Sequence, residues 1–253
     1  MRRALAGLAC LALFVPACGG SVSERSEITV LAAASLTAAF TKIGVNFERA
    51  TPDVTVRFSF GPSDGLATQI LEGAPADVFA PASPKYMDQV RSDGPGVAEQ
   101  VDFARNTLAV IVPSGNPAHI ESVDDLARPG VKLVLAAVGV PAGDYAREIL
   151  ANAGIQKEAL ANLVSNEEDV KGVVQKVLLG EADAGIVYRT DVTPDISAKV
   201  REIAIPDGVN VIATYPIAVI GGSGHTDVAE VFVRYVTGPG QVTLRSFGFL
   251  PPS

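Results

Sequence analysis

Runs of β-type residues alternate with helical periodicity along almost the whole chain, and this pattern confines it to an α/β fold on largely parallel sheets. Residues 28–34 form a mainly apolar run that reads as a buried strand, and Ser35 follows where a helix N-cap belongs. Leu36, Phe40, Ile43 and Phe47 then recur at spacings of 4, 3 and 4, the mark of one helix face. Val54, Val56, Phe58 and Phe60 alternate with polar residues as a strand does, until Gly61-Pro62-Ser63-Asp64-Gly65 breaks the run before a helix from Leu66. Further strands are expected at 77–80, 107–112, 133–137, 184–187, 203–205 and 213–220. Further helices are expected at about 84–90, from Pro141 to Gly154, after Asn166 as cap, and over 226–236 and 241–247. The sequence shows no internal repeat.

The first residues read as a leader rather than as part of the fold. Arg2 and Arg3 precede an uncharged, mostly apolar run over 4–14, too short for the ~20 residues that span a bilayer. Val15-Pro16-Ala17-Cys18 resembles the lipobox of bacterial lipoproteins, in which the cysteine is acylated and becomes the first residue. The expected organisation is therefore a signal peptide over 1–17 and a lipidated tether over 18–27, anchored at Cys18. Without the leader, 18 bases stand against 28 acids, so the formal charge moves from −8 to −10. Such a body lacks the basic surface of a nucleic-acid binder. With Cys10 removed and Cys18 lipidated it has no thiol nucleophile or disulfide, and His119 and His225 alone cannot make a Cys/His zinc site.

Several strand-to-helix turns carry small or hydroxyl residues at the helix start: Ser35, Ser63, Ala142 and Asn166. One reading is that they are simple caps. The other is that several helix starts converge, because unpaired N–H groups and the positive end of the helix dipole make an anion site without any base. A third pattern points to catalysis: Gly61-Pro62-Ser63-Asp64-Gly65 fits the Gly-x-Ser-x-Gly nucleophile elbow between strand and helix, although no recognisable histidine motif accompanies it.

Taken in order, the segments resemble the molybdate-binding proteins of bacterial ABC transporters. The landmarks are Ala32-Ala33-Ala34-Ser35-Leu36, Gly73-Ala74-Pro75-Ala76-Asp77-Val78-Phe79 and Val140-Pro141-Ala142-Gly143-Asp144-Tyr145-Ala146. Glu168-Asp169-Val170, Gly185-Ile186-Val187-Tyr188, Tyr215-Pro216-Ile217-Ala218-Val219 and Gly248-Phe249 complete the order. The resemblance implies a two-lobed, periplasmic-binding-protein-like (type II) α/β fold. Its first lobe would be 28–107 with 214–253 and its second 108–213, each a mainly parallel sheet flanked by helices, joined by crossover strands at 107–112 and 213–220.

The same resemblance implies an extracytoplasmic lipoprotein, monomeric, that captures molybdate or tungstate and hands it to a permease and its ATPase. No cofactor, metal cation, nucleic acid or enzymatic activity is expected. By position, Ser35, Ser63 and Tyr188 would supply hydroxyls and Ala142 and Val170 backbone N–H groups. Pro62 has no N–H to give, and Asp64 sets a carboxylate beside the site, either capping the helix at Leu66 or selecting among anions. A different oxyanion or an organic acid is the alternative ligand, the latter usually recruiting arginine.

Overall fold

The computed structural model describes residues 26–252; the leader, Cys18 and most of the tether lie outside them. The chain begins with β1 (Ser26–Ala33), α1 (Thr37–Ala50), β2 (Val54–Gly61), α2 (Ser63–Leu71), β3 (Val78–Ala80), α3 (Pro84–Asp93) and β4 (Val101–Asn106). It continues through β5 (Leu108–Pro113), β6 (Leu133–Ala136), α4 (Pro141–Asn152), α5 (Gln156–Ala161), β7 (Leu163–Glu167), α6 (Val170–Leu178) and β8 (Ala184–Tyr188). The last elements are α7 (Pro194–Ser197), β9 (Val200–Ala204), β10 (Ala213–Val219), α8 (Thr226–Thr237) and α9 (Gly240–Ser246).

These strands form two five-stranded mixed sheets, ordered β2-β1-β3-β10-β4 and β7-β6-β8-β5-β9. In the first, β1 is parallel to β2 and β3, while β10 is antiparallel to both β3 and β4. In the second, β6 is parallel to β7 and β8, while β5 is antiparallel to β8 and β9. Each sheet thus has a single reversed strand, β10 or β5, and each reversed strand is the one that follows a passage between sheets. The chain passes from β4 to β5 through Thr107 and returns from β9 to β10. The two orders are the same once β1, β2, β3 and β4 are matched with β6, β7, β8 and β9, and β10 with β5. A repeat of architecture exists where the sequence shows none, because packing constrains apolar pattern and not residue identity.

Four elements escape the sequence reading, namely β4, β7, α5 and α7. Strands β4 and β7 are sheet edges with polar residues within the run; β4 buries only Phe103, Ala104 and Asn106, and β7 has no fully buried residue. Helices α5 and α7 have only 6 and 4 residues. Two expected caps also move. Asn166 lies inside β7, and Asp169 caps α6 instead, its carboxylate accepting the N–H of Gly172 at 2.9 Å. Ser35 sits within a 3-10 turn, Ala34–Leu36, that leads into α1, whose N-cap position is Leu36.

Alternation along the first sheet sorts its side chains to two cores. Leu31, Phe79 and Ala218 point at α2 and α3, meeting Leu66, Ile70, Met87 and Val90. Val30, Val78 and Val219 belong to the larger core, with Phe40 and Phe47 of α1 and Phe232 of α8. Phe232 is fully buried and meets Phe47 edge-on, with ring centroids 5.2 Å apart and planes at 87°. Phe58 reaches this cluster because Gly44 leaves room: a Cβ there would stand 2.6 Å from the Phe58 ring. Phe232→Ala removes a buried ring on which three aromatic neighbours close. It should cost about 3–5 kcal/mol, seen in a thermal melt as a fall of roughly 10 °C. A fall of under about 2 °C would contradict this packing account.

Candidate anion-binding site

In an open parallel sheet, the loops at the carboxyl ends of the strands are where ligands bind. The register brings those ends together here. Ala33 of β1 lies opposite Gly61 of β2, and Ala32 opposite Ala80 of β3, so the loops carrying Ser35, Ser63 and Ala82 share one edge. In the second sheet Ala136 of β6 lies opposite Glu167 of β7, and β8 ends at Tyr188. Its loops open into α4 and α6.

The two edges face each other across one cavity, and all five residues singled out by the resemblance line it: Ser35, Ser63, Ala142, Val170 and Tyr188. Ala33, Ala34, Gly61, Pro62, Ala82, Val140, Pro141 and Asp169 complete the wall. The space open to the centre of a water-sized sphere is ≈ 20 Å³. Adding back the water radius makes a hole of about 3 Å radius, room for one central atom with a single shell of oxygens.

The wall is built from helix starts. Ser63 is the first residue of α2, Ala142 the second of α4, Val170 the first of α6, and Ser35 lies in the turn that begins α1. Neither the 3-10 turn, α2 nor α4 has a side-chain cap, so their first N–H groups are left for whatever occupies the cavity. Pro62 and Val140, at the N-cap positions of α2 and α4, offer no capping oxygen. Helix α4 also approaches its sheet unusually closely. A Cβ on Gly143 would come 2.1 Å from the Ala137 carbonyl oxygen, so glycine lets the amide of Ala142 stand at the cavity wall.

Two of the three hydroxyls, those of Ser63 and Tyr188, keep an uncommitted proton. Ser63 Oγ accepts the Ala82 N–H at 3.0 Å, which occupies a lone pair and leaves its own proton free. Ser35 Oγ lies 3.1 Å from the Tyr215 hydroxyl. Tyr188 Oη is buried and has no hydrogen-bond partner, an arrangement that natural proteins seldom leave unexplained. Burial, the largest cause, holds the Tyr188 phenol well above its ordinary pKa, so it stays a donor.

No Lys, Arg or His lines the cavity among the described residues. The ionisable groups at the wall besides Tyr188 are limited to Asp169, whose carboxylate is committed to the Gly172 N–H. Just behind Tyr188, Asp191 accepts the Tyr188 N–H at 3.2 Å. Loss of water around it raises the Asp191 carboxyl to about 7, against that hydrogen bond and the charge of Lys171, which both lower it.

The two lobes touch on both sides of the cavity. On one side the Tyr86 hydroxyl donates to the Gly139 carbonyl, the Tyr145 hydroxyl to the Ala82 carbonyl at 3.4 Å, and Lys85 pairs with Asp144 at 3.5 Å. On the other, Lys171 donates to Thr37 Oγ1 and stands 6.0 Å from the Phe60 ring centre.

Asp64 does not cap its helix. The Leu66 N–H goes to the Pro62 carbonyl at 3.0 Å, and Asp64 Oδ1 is buried without a partner, outside the cavity wall. Ser63 has no histidine base within reach of its hydroxyl. His119 is exposed, and His225 Nδ1 lies 3.3 Å from Asp77, which also holds Ser223 and the Thr29 N–H. Among the described residues no cluster of three His, Cys, Asp or Glu is placed to hold a metal cation. Ala82 and Tyr215 are the site residues that sequence reasoning missed. Tyr215 stands in one of the landmark segments, yet nothing in its spacing says that its hydroxyl meets Ser35.

Three comparisons match this architecture. The molybdate-binding protein ModA of Mycobacterium tuberculosis (strain H37Rv) is 39% identical over 234 residues, covering 92% of this chain and 88% of that protein. The substrate binding domain of a putative molybdenum ABC transporter from Clostridium difficile is 30% identical with a TM-score of 0.69, over 90% of this chain and 100% of the other. The periplasmic molybdate-binding protein of Azotobacter vinelandii, 20% identical, shares the fold with a TM-score of 0.78 over 89% of this chain and 100% of its own. The fold is thus periplasmic-binding-protein-like. A model of the bacterial extracellular solute-binding proteins matches residues 28–250, and the chain belongs to that family, among its molybdate-binding members.

Proposed function

We propose that this protein captures molybdate, and with it tungstate, outside the cytoplasm and delivers it to an ABC importer, held to the membrane by a lipid on Cys18. The observation that carries this reading is the unpartnered Tyr188 hydroxyl in a small cavity of neutral donors at four helix starts. The anion accepts hydrogen bonds from the hydroxyls of Ser35, Ser63 and Tyr188 and the N–H groups of Ala142 and Val170. Each is charge-assisted and therefore stronger than a neutral pair.

The lobes are 28–107 with 214–253, and 108–213. Neither carries a full set of donors, so a bound anion favours their closure by hinge motion about the two crossings. A fully deprotonated oxyanion satisfies a donor-only wall, whereas hydrogen phosphate brings a proton that needs an acceptor. The size of the cavity and the absence of Arg or Lys from its wall among the described residues speak against an organic acid. The protein acts as a monomer and catalyses no reaction.

Calorimetry of residues 26–253 with molybdate, tungstate, sulfate and phosphate tests the reading. Molybdate and tungstate should bind, with Ser35→Ala and Tyr188→Phe each weakening binding about tenfold to hundredfold while melting near the wild-type temperature. Tight binding of sulfate alone, or of none of the four, would sink it.

Asp191 makes a separate prediction about pH. Its carboxyl titrates at about 7 in the folded chain and near 3.8 when unfolded, so folding takes up a proton between those values. Its stabilising share is present below about pH 4, declines as pH rises towards 7, and stays low above. Asp191→Asn cannot ionise, so denaturant midpoints should show the variant gaining on wild type across that range. A difference between the two that is flat from pH 4 to 8 would refute the assignment.

A further inference from the structure

Tyr215 is fully buried on β10 and lies outside the cavity wall, yet it touches the site from beneath. Its ring packs edge-on against Phe249, with centroids 5.5 Å apart and planes at 89°, and against Tyr188 at 5.9 Å. This packing fixes the phenol, whose oxygen lies 3.1 Å from Ser35 Oγ. Either oxygen has the chemistry to donate, and the surroundings decide which does. Ser35 Oγ is the oxygen in hydrogen-bond geometry with the Tyr215 phenol, whereas the nearby Tyr188 oxygen makes no such bond. The nearby amide of Asn106 donates to Thr190 Oγ1 at 2.8 Å.

We infer that Tyr215 is a positioning and specificity residue: its phenol donates to Ser35 Oγ and so commits the Ser35 proton to the anion. The arrangement parallels Ser63, whose oxygen is filled by the Ala82 N–H. A hydroxyl that accepts one hydrogen bond becomes a stronger donor through polarisation, and a poorer acceptor for a second. Both serines are thereby biased against taking a proton from a protonated oxyanion. Burial keeps the Tyr215 phenol far above its ordinary pKa, so the donor does not ionise at physiological pH. The inference rests on the oxyanion reading and adds the device that enforces its selectivity.

The test compares wild type, Tyr215→Phe, Ser35→Ala and the double variant by calorimetry with molybdate and hydrogen phosphate, each checked by a thermal melt. Tyr215→Phe should weaken molybdate about threefold to tenfold and narrow its preference over hydrogen phosphate. In the Ser35→Ala background the same change should alter molybdate affinity by less than about twofold, because the partner is gone. An equal loss in both backgrounds, or no loss in either, overturns the proposal while leaving the oxyanion reading standing. A wild type that binds no oxyanion overturns both. If Tyr215→Phe does not fold, difluorotyrosine at position 215 keeps the ring and sharpens the donor. Molybdate affinity should then hold or rise, and a fall means that Tyr215 accepts rather than donates.

Discussion

Four helices begin at one small cavity, and most of their first N–H groups lack the side-chain caps that usually satisfy them. Buried donors without acceptors are costly, so the fold sustains this arrangement only where an anion or water completes it. The requirement reaches far into the structure. It needs two sheets whose carboxyl edges face one another, and glycine at position 143 to bring α4 against its strand. Small residues, Ala33, Ala34, Gly61 and Ala82, line the hole and leave it open.

The acidic charge of the chain fits with such a site. A net charge of −8 works against long-range capture of an anion, but that field is screened within about 10 Å at ordinary salt. Inside the cavity the fixed dipoles of N–H and O–H groups act at contact distance and in a poorly screened medium. They cannot collapse onto one oxygen as a mobile lysine would. Selectivity then depends on size and on the direction of each proton, and buried tyrosines hold their protons firmly.

Much of the fold was legible because it rests on apolar periodicity. The strand at 213–220 and the face of Val170, Val173, Val174 and Val177 were readable from spacing alone. Strands β4 and β7 were not, since an edge strand buries too little to leave a strong pattern. The site divides in the same way. Ser35, Ser63 and Ala142 stand out by residue type at a strand-to-helix turn, whereas Val170, proposed to act through its backbone N–H, came only from resemblance. Of the two roles open to Asp64, capping fails because Leu66 finds a backbone partner instead, a choice that residue type alone does not reveal. Tyr215 lies 180 residues from Ser35, and such a contact exists only once β10 has returned to the first sheet.

The central claim is that neutral donors from both lobes hold the anion. A crystal grown with molybdate, with diffraction collected at the molybdenum absorption edge, tests it directly. The account predicts one anomalous peak in the cavity, its oxygens about 2.7–3.1 Å from the hydroxyls of Ser35, Ser63 and Tyr188 and the N–H groups of Ala142 and Val170. A peak elsewhere, or one held by a lysine or arginine, would contradict it.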